Sequence, residues 1–177
     1  KFLAKNFKQL EDKYTLLSPL YRISGATIKD VSCNSIYKYL TEFFEKQIKE
    51  YNIQFDVSNS FKNHILNIKE PVIFTVFINV INNAIYWMRN KEERIIKLDY
   101  IEETQELIIA NSGDKIPDYR LESIFELFYS QRPNGRGIGL YLSKQSLNES
   151  GLDIKATNDK KYNSLTGACF IISKIAR

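Results

Sequence analysis

A cluster of glycines in the last third of the chain has the spacing of a phosphate-binding loop. Gly135, Gly137 and Gly139 alternate with other residues and open a predicted helix over 137–148. Glycine lets backbone N–H groups approach a ligand closely, and the N-terminus of a helix adds a partial positive charge. One interpretation is therefore a phosphate site, and the other is an ordinary glycine-rich loop.

Two asparagines on an apolar segment are the second candidate for chemistry. Residues 71–89 form a predicted helix that is apolar almost all round, and Asn79 and Asn83 are four residues apart on one face of it, with Asn82 on the flank. A buried amide without partners costs about 1 to 3 kcal/mol. The pair therefore consists either of two satisfied buried amides or of carbonyl ligands for Mg²⁺, which takes few protein ligands and keeps waters.

Four blocks in a fixed order carry a resemblance to a known family. Residues 79–84, 111–117, 124–130 and 135–140 resemble the N, G1, F and G2 boxes of the ATP-binding catalytic domain of sensor histidine kinases, in the GHKL ATPase superfamily. The resemblance covers roughly residues 27–174. It implies that the chain binds Mg-ATP or Mg-ADP and transfers the γ-phosphoryl group to a histidine outside this chain.

The resemblance also implies a task for individual residues. Asn83, with Asn79 in support, would hold Mg²⁺, and Arg132 would approach the β and γ phosphates. These three residues form the expected catalytic set. The expected nucleotide-binding residues are Asn83, Asn111, Gly113, Ile116, Phe128, Arg132, Gly135, Gly137, Gly139, Leu140 and Thr166.

Three positions depart from the pattern of the family. Asn111 stands where an aspartate usually accepts from the adenine amino group, Lys115 where glycine is usual, and Tyr86 where many kinases carry a phosphate-binding lysine. Asn111 keeps a carbonyl acceptor but loses the charge, so we expect weaker recognition of adenine. A degenerate nucleotide-binding module without kinase activity is therefore one alternative function.

The second alternative is a GHKL-type ATPase that hydrolyses ATP. In gyrase, mismatch-repair ATPases and the large heat-shock chaperones, a glutamate one helical turn before the metal asparagine activates water. That position is Asn79 in this chain. Because an amide cannot act as a general base, the sequence favours phosphoryl transfer to a protein side chain over hydrolysis.

The candidate site residues must be positioned by helices and strands. The sequence predicts that these alternate unevenly along the chain. Hydrophobic alternation predicts strands over 28–31, 52–57, 64–68, 94–100, 107–110, 153–157 and 168–173. Helical spacing predicts helices over 36–48, capped by Ser32 or Asn34, over 71–89, over 118–128 and over 137–148. This order predicts an α/β two-layer sandwich with a mixed sheet covered on one face by helices. The resemblance implies the same Bergerat fold, with a lid over 117–136.

The first residues suggest a separate unit. Apolar residues recur at helical spacing over 2–22, and Pro19 predicts a kink or break there. By resemblance, residues 1–25 are the C-terminal helix of a truncated dimerisation and phosphoacceptor domain, and residues 26–177 are the catalytic domain. A helix that caps the core is the alternative. The resemblance further implies a homodimeric parent protein and a response regulator as partner.

Composition limits the remaining classes of function. The net charge of +4 is spread along the chain, which argues against nucleic-acid binding. No apolar run is expected to reach the roughly 18 to 20 residues of a membrane span, so we expect no membrane contact from this segment. Two distant cysteines and a single histidine favour a reducing cytosol over a zinc site, so we expect a cytoplasmic segment of a parent protein with or without a membrane anchor. Cys33 and Cys169 are expected to fill the core. His64, the one histidine, is expected to be partly buried or on the surface rather than the phosphoacceptor.

Overall fold

The computed structural model describes residues 25–133 and 135–175. The predicted helix over 2–22, and with it the assignment of residues 1–25 to a dimerisation domain, lies outside the described residues. The helices are α1 Cys33–Phe43, α2 Glu45–Tyr51, α3 Asn59–Asn63, α4 Glu70–Met88 and α5 Gly139–Glu149. The strands are β1 Ile28–Ser32, β2 Gln54–Val57, β3 Ile65–Lys69, β4 Ile95–Ile101, β5 Glu106–Asn111, β6 Leu152–Thr157 and β7 Cys169–Lys174.

Five strands form a mixed sheet, as predicted, in the order β2, β4, β5, β7, β6. The β2–β4 pair is parallel, and the other pairs are antiparallel. Strands β1 and β3 form a separate antiparallel ribbon. In the register of β4 and β5, Ile96 lies opposite Asn111, so Asn111 stands at the very end of its strand.

One face of the sheet is covered by helices, which confirms the predicted two-layer architecture. Alternate residues of β5, Leu107 and Ile109, are buried in the same core as residues of α1, α4 and α5. The intervening residues, Ile108 and Ala110, are buried in a second small cluster on the opposite face, under Tyr162 and other residues of the β6–β7 loop. Strand β5 is therefore buried on both faces.

The expectation that no apolar run has the length of a membrane span is wrong for helix α4. By length and composition, Glu70–Met88 is long and apolar enough to cross a membrane. However, 61% of its most apolar window is buried inside the fold. Its composition therefore suits a central core helix, which must be apolar around most of its circumference to pack between the sheet and the neighbouring helices.

Several predicted elements have different boundaries. The predicted helix over 36–48 breaks at Phe44, which separates α1 from α2. Ser32 lies at the N-cap of α1 but makes no side-chain capping bond there. The short helix α3 was not predicted, and its cap is Ser58, whose hydroxyl accepts from the N–H of Phe61.

The predicted helix over 118–128 is wrong. The chain forms two short 3₁₀ turns there, Asp118–Arg120 and Ser123–Phe125. Phe125 is buried against Phe170, but Phe128 is 71% exposed and has a positive φ of 68°. The N–H of Phe128 donates to Gly137 O at 2.9 Å, so the chain folds back on itself where the helix was expected to continue.

Candidate functional site

A cavity of about 580 Å³ lies between α4, the segment 114–138 and the start of α5. This volume is within the usual range of ligand pockets, about 300 to 1,000 Å³. The expected site residues that line it are Asn79, Asn83, Asn111, Ile116, Arg132, Gly135, Gly137, Gly139 and Leu140. The structure therefore brings residues from all four sequence blocks to one cavity.

Three expected residues do not line this cavity. Gly113 is buried behind it, and Phe128 is exposed on the outside of the segment. Thr166 lines a neighbouring depression, and its hydroxyl lies 3.4 Å from the carbonyl oxygen of Ser112. These three residues therefore do not face the cavity.

Three further residues line the cavity and were not among the predicted site residues. Trp87 lies on α4 four residues after Asn83, so helical spacing alone could have identified it. Ala168 and Phe170 come from β7 and reach the cavity only through the pairing of β7 with β5. No pattern local to the sequence signals such a contact.

At one end of the cavity, a cation lies beside the oxygen of an amide. Arg132 Nη1 donates to Asn83 Oδ1 at 2.8 Å. The guanidinium carbon of Arg132 lies 4.2 Å from the ring centroid of Tyr86, and that of Arg89 lies 5.4 Å from the same centroid. Burial lowers the pKa of Arg132, Tyr86 opposes this shift, and the positive charge of Arg89 adds to it. Arg132 remains a cation throughout the physiological range.

Asn79 joins α4 to α5. Its Nδ2 donates to Gly139 O and to Ser143 Oγ, both at 3.0 Å. Ser143 is 1% exposed, and its hydroxyl donates to Gly139 O at 2.8 Å. This network uses Asn79 Nδ2 to tie α4 to α5, and it does not involve Asn79 Oδ1, the atom expected to support Mg²⁺.

The donor set at this end suits a metal that takes few protein ligands. The described residues contain no group of three or more His, Cys, Asp or Glu side chains that could hold a metal ion. Asn83 Oδ1 offers one neutral oxygen, as a Mg²⁺ ion held mainly by phosphates and waters requires. The residues therefore fit Mg²⁺ bound together with a polyphosphate and do not fit a site built from protein ligands alone.

The glycine cluster is shaped by the segment that crosses it. Gly137 has a φ of +64°, and a Cβ on it would lie 2.3 Å from the backbone carbon of Phe128. The N–H of Gly135 donates to Arg132 O at 2.8 Å and is therefore already used. In α5, the first intrahelical bond runs from Leu142 N to Ile138 O, so the N–H groups at the start of the helix have no intrahelical acceptor. These groups can bind an anion.

The other end of the cavity is mostly apolar and holds Asn111. This residue is 3% exposed, and its Oδ1 accepts from the N–H of Gly113 at 2.8 Å. Lys115 also lines the cavity; its side chain is 56% exposed, and its Nζ lies 3.9 Å from Asp118 Oδ1. The cavity thus combines a buried amide among apolar side chains with the cation Arg132 and a helix N-terminus.

His64 lies away from the cavity. Its ring stacks on Tyr100 at a centroid distance of 3.6 Å and an interplanar angle of 20°. Burial lowers the pKa of His64, the charge of Lys174 lowers it further, and Glu102 opposes both. The structure supports its interpretation as a partly buried histidine.

Comparison with known proteins gives consistent matches. Residues 68–176 match a family model described as histidine kinase-, DNA gyrase B-, and HSP90-like ATPase. The chain is 30% identical to sensor protein VanSC of Enterococcus gallinarum over 124 residues, which are 66% of this chain and 34% of VanSC. It is 24% identical to sensor protein SrrB of Staphylococcus aureus over 171 residues, 89% of this chain and 28% of SrrB. The chain thus spans about a third of the length of these relatives.

A solved structure shows the same fold. The catalytic domain of histidine kinase ThkA superposes with a TM-score of 0.67 at 23% identity, over 82% of this chain and 93% of that chain. The same kinase in complex with response regulator protein TrrA gives a TM-score of 0.65 at 21% identity, over 97% of this chain and 49% of that chain.

Proposed function

Because the chain belongs to the family of histidine kinase-, DNA gyrase B- and HSP90-like ATPases, we propose that it binds Mg-ATP in the cavity beside α4 and transfers the γ-phosphoryl group to a histidine outside this chain. The relatives it matches are sensor proteins, which supports the kinase branch of the family. One observation carries the proposal. Asn83, Arg132 and the free N–H groups at the start of α5 all border one cavity.

The residues divide the work of phosphoryl transfer, which depends on positioning and charge neutralisation more than on covalent chemistry. Asn83 Oδ1 would hold Mg²⁺, which neutralises phosphate charge when it is bound. Arg132, which now donates to that oxygen, would donate to phosphate oxygens as a planar bidentate cation. The start of α5 would bind phosphate oxygens through its backbone N–H groups and its dipole.

Transfer is favoured over hydrolysis by the surroundings of Asn79. An amide has no basic group with which to activate water, and the donors of this one are committed to Gly139 and Ser143. We therefore expect the chain to show little ATP turnover by itself. The departures at Asn111 and Tyr86 support a second candidate, a nucleotide-binding module without kinase activity.

The proposal extends to partners. The histidine kinase ThkA, whose catalytic domain has the same fold, has been solved in complex with the response regulator protein TrrA. We propose a response regulator as the partner of the full protein, together with its own dimerisation domain in a homodimer, and a cytoplasmic position for this segment. Residues 1–25 are proposed to belong to that dimerisation domain.

Calorimetric titration of the chain with Mg-ADP tests the binding step. We expect saturable binding that is weakened when a chelator removes Mg²⁺, because the metal would link Asn83 to the phosphates. No heat of binding at millimolar Mg-ADP would contradict the proposal. Incubation with radiolabelled ATP should leave His64 unlabelled, and an acid-labile label that disappears in His64→Ala would show that the acceptor has been placed wrongly.

A further inference from the structure

The start of the segment 114–138, which borders the cavity, is joined to the sheet by the side chain of Asn158. This residue directly follows β6. Its Nδ2 donates to Ile116 O at 2.7 Å and to Asp118 Oδ1 at 2.6 Å. Ile116 lines the cavity, whereas Asn158 borders the neighbouring depression. One amide therefore holds both a backbone oxygen and a carboxylate of the segment from outside the cavity.

The orientation of the Asn158 amide is fixed by its partners, because both atoms that face Nδ2 are acceptors. Reversing the amide would set its oxygen against the carbonyl of Ile116 and the carboxylate of Asp118. No described residue donates a hydrogen bond to Asn158 Oδ1, although this atom is buried. A buried oxygen without a donor costs free energy. The side chain thus keeps its two bonds to the segment at the expense of its own oxygen.

A second attachment to β6 lies further along the segment, at Phe125. This side chain is buried against Phe170, and the ammonium group of Lys144 lies 5.0 Å from the centroid of its ring. Lys144 in turn bonds to Asp153 Oδ1 at 2.9 Å and donates to Ile154 O at 3.0 Å. The part of the segment that precedes Phe125 is therefore supported from β6 at both of its ends.

We propose that Asn158 is a positioning residue for nucleotide binding, which holds the wall of the cavity in place through Ile116 and Asp118. When its two bonds are lost, the wall at Ile116 is free to move outward. A bound nucleotide then loses contacts with this wall and is released faster. This inference rests on the proposed function, namely that the cavity binds a nucleoside polyphosphate.

Hydrogen exchange measured by mass spectrometry and calorimetric titration with Mg-ADP together test the inference in Asn158→Ala. The amide hydrogens of residues 118–121 should exchange about tenfold faster without nucleotide, because this turn opens locally once its attachment is lost. Those of residues 107–110 should exchange as in the native chain. The affinity for Mg-ADP should fall by about tenfold, the order that the loss of two hydrogen bonds implies.

Two further variants serve as controls. Asn67 Nδ2 also donates to a carboxylate, Asp30 Oδ1 at 2.8 Å, but on the β1–β3 ribbon, and neither residue lines the cavity. Asn67→Ala should therefore leave both measurements unchanged. Asp118→Asn keeps an oxygen that can accept from Asn158 and should retain most of the native affinity for Mg-ADP. Asp118→Ala removes that acceptor and should weaken binding, and it replaces Asn158→Ala in the test if that variant does not unfold cooperatively.

The outcomes separate this inference from the proposed function. Faster exchange at residues 118–121 with native affinity for Mg-ADP overturns the inference, because the bonds would then serve the fold alone. Native exchange at these residues in Asn158→Ala also overturns it. Either result leaves the proposed function standing when the native chain binds Mg-ADP. Failure of the native chain to bind Mg-ADP overturns both.

Discussion

Arg132 Nη1 donates to Asn83 Oδ1 at 2.8 Å, so a cationic side chain lies on the oxygen proposed to hold Mg²⁺. The two cations cannot share that oxygen at close range without strong repulsion. In the proposed complex with Mg-ATP, Arg132 would therefore move its donor from the amide to another acceptor, and the phosphates would supply one. This exchange makes Asn83 and Arg132 act together rather than as separate contacts.

The metal assignment predicts different effects for two neighbouring asparagines. Asn83→Ala should abolish the Mg²⁺-dependent part of nucleotide binding, because it removes the oxygen that would hold the ion. Asn82 also borders the cavity, but its side chain is exposed on the flank of α4, so Asn82→Ala should have little effect. Calorimetry with Mg-ADP measures both. Equal losses in the two variants would place the metal on a different face of the helix.

The contact between the Tyr86 ring and Arg132 predicts a role for Tyr86 in nucleotide binding. Its face lies under the guanidinium of Arg132 at 4.2 Å, and a partly desolvated contact of this kind contributes about 1 kcal/mol. Tyr86→Leu should therefore weaken Mg-ATP binding several-fold, as about 1 kcal/mol implies. Tyr86→Phe keeps the aromatic face and should bind normally. If Phe and Leu behave alike, the ring does not position Arg132.

The bonds of Asn79 predict an effect on stability. Asn79→Ala should lower the free energy of unfolding by about 1 to 3 kcal/mol, because the Gly139 carbonyl and the buried Ser143 hydroxyl each lose one hydrogen bond. Urea denaturation of Asn79→Ala, Ser143→Ala and the double variant measures the coupling between them. Undiminished stability with loss of nucleotide binding would instead identify Asn79 as a ligand to the metal or phosphate.

His64 predicts part of the pH dependence of stability. Its pKa is lowered in the folded chain from about 6.5 in an unfolded one, so below that pH the unfolded state binds the proton more readily. The contribution of His64 is therefore present at neutral pH and is lost as the pH falls through its folded pKa. His64→Phe keeps a ring on Tyr100 without a proton to bind. Its melting temperature should fall less than that of the native chain between about pH 7 and pH 5, and parallel curves would contradict this.

The sheet and the long helices could be predicted from the sequence because their hydrophobic periods are local. Asn79 and Asn83, four residues apart, both line the cavity for the same reason. The 3₁₀ turns around Phe125 could not be predicted, since the spacing of apolar residues there matches a helix while the crossing of Phe128 over Gly137 requires a reversal. The packing between the segments, rather than either segment alone, decides that shape.

The chemistry at the two ends of the cavity was predictable only in part. The sequence shows an amide at position 111. It does not show that Asn111 Oδ1 accepts from Gly113 N, because this bond depends on backbone geometry. The stacking of Arg132 on Tyr86 joins residues that are far apart in the sequence. Helical and strand periods carry no information about such contacts.

The burial of β5 on both faces has a consequence for how the chain exchanges its amide hydrogens with solvent. Residues 107–110 are covered by the helices on one side and by the β6–β7 loop on the other, so their N–H groups reach water only when the whole sheet opens. Exchange there reports the global free energy of unfolding. The segment around the 3₁₀ turns has few backbone bonds and one deeply buried side chain, Phe125, so it exchanges through local openings that leave β5 closed.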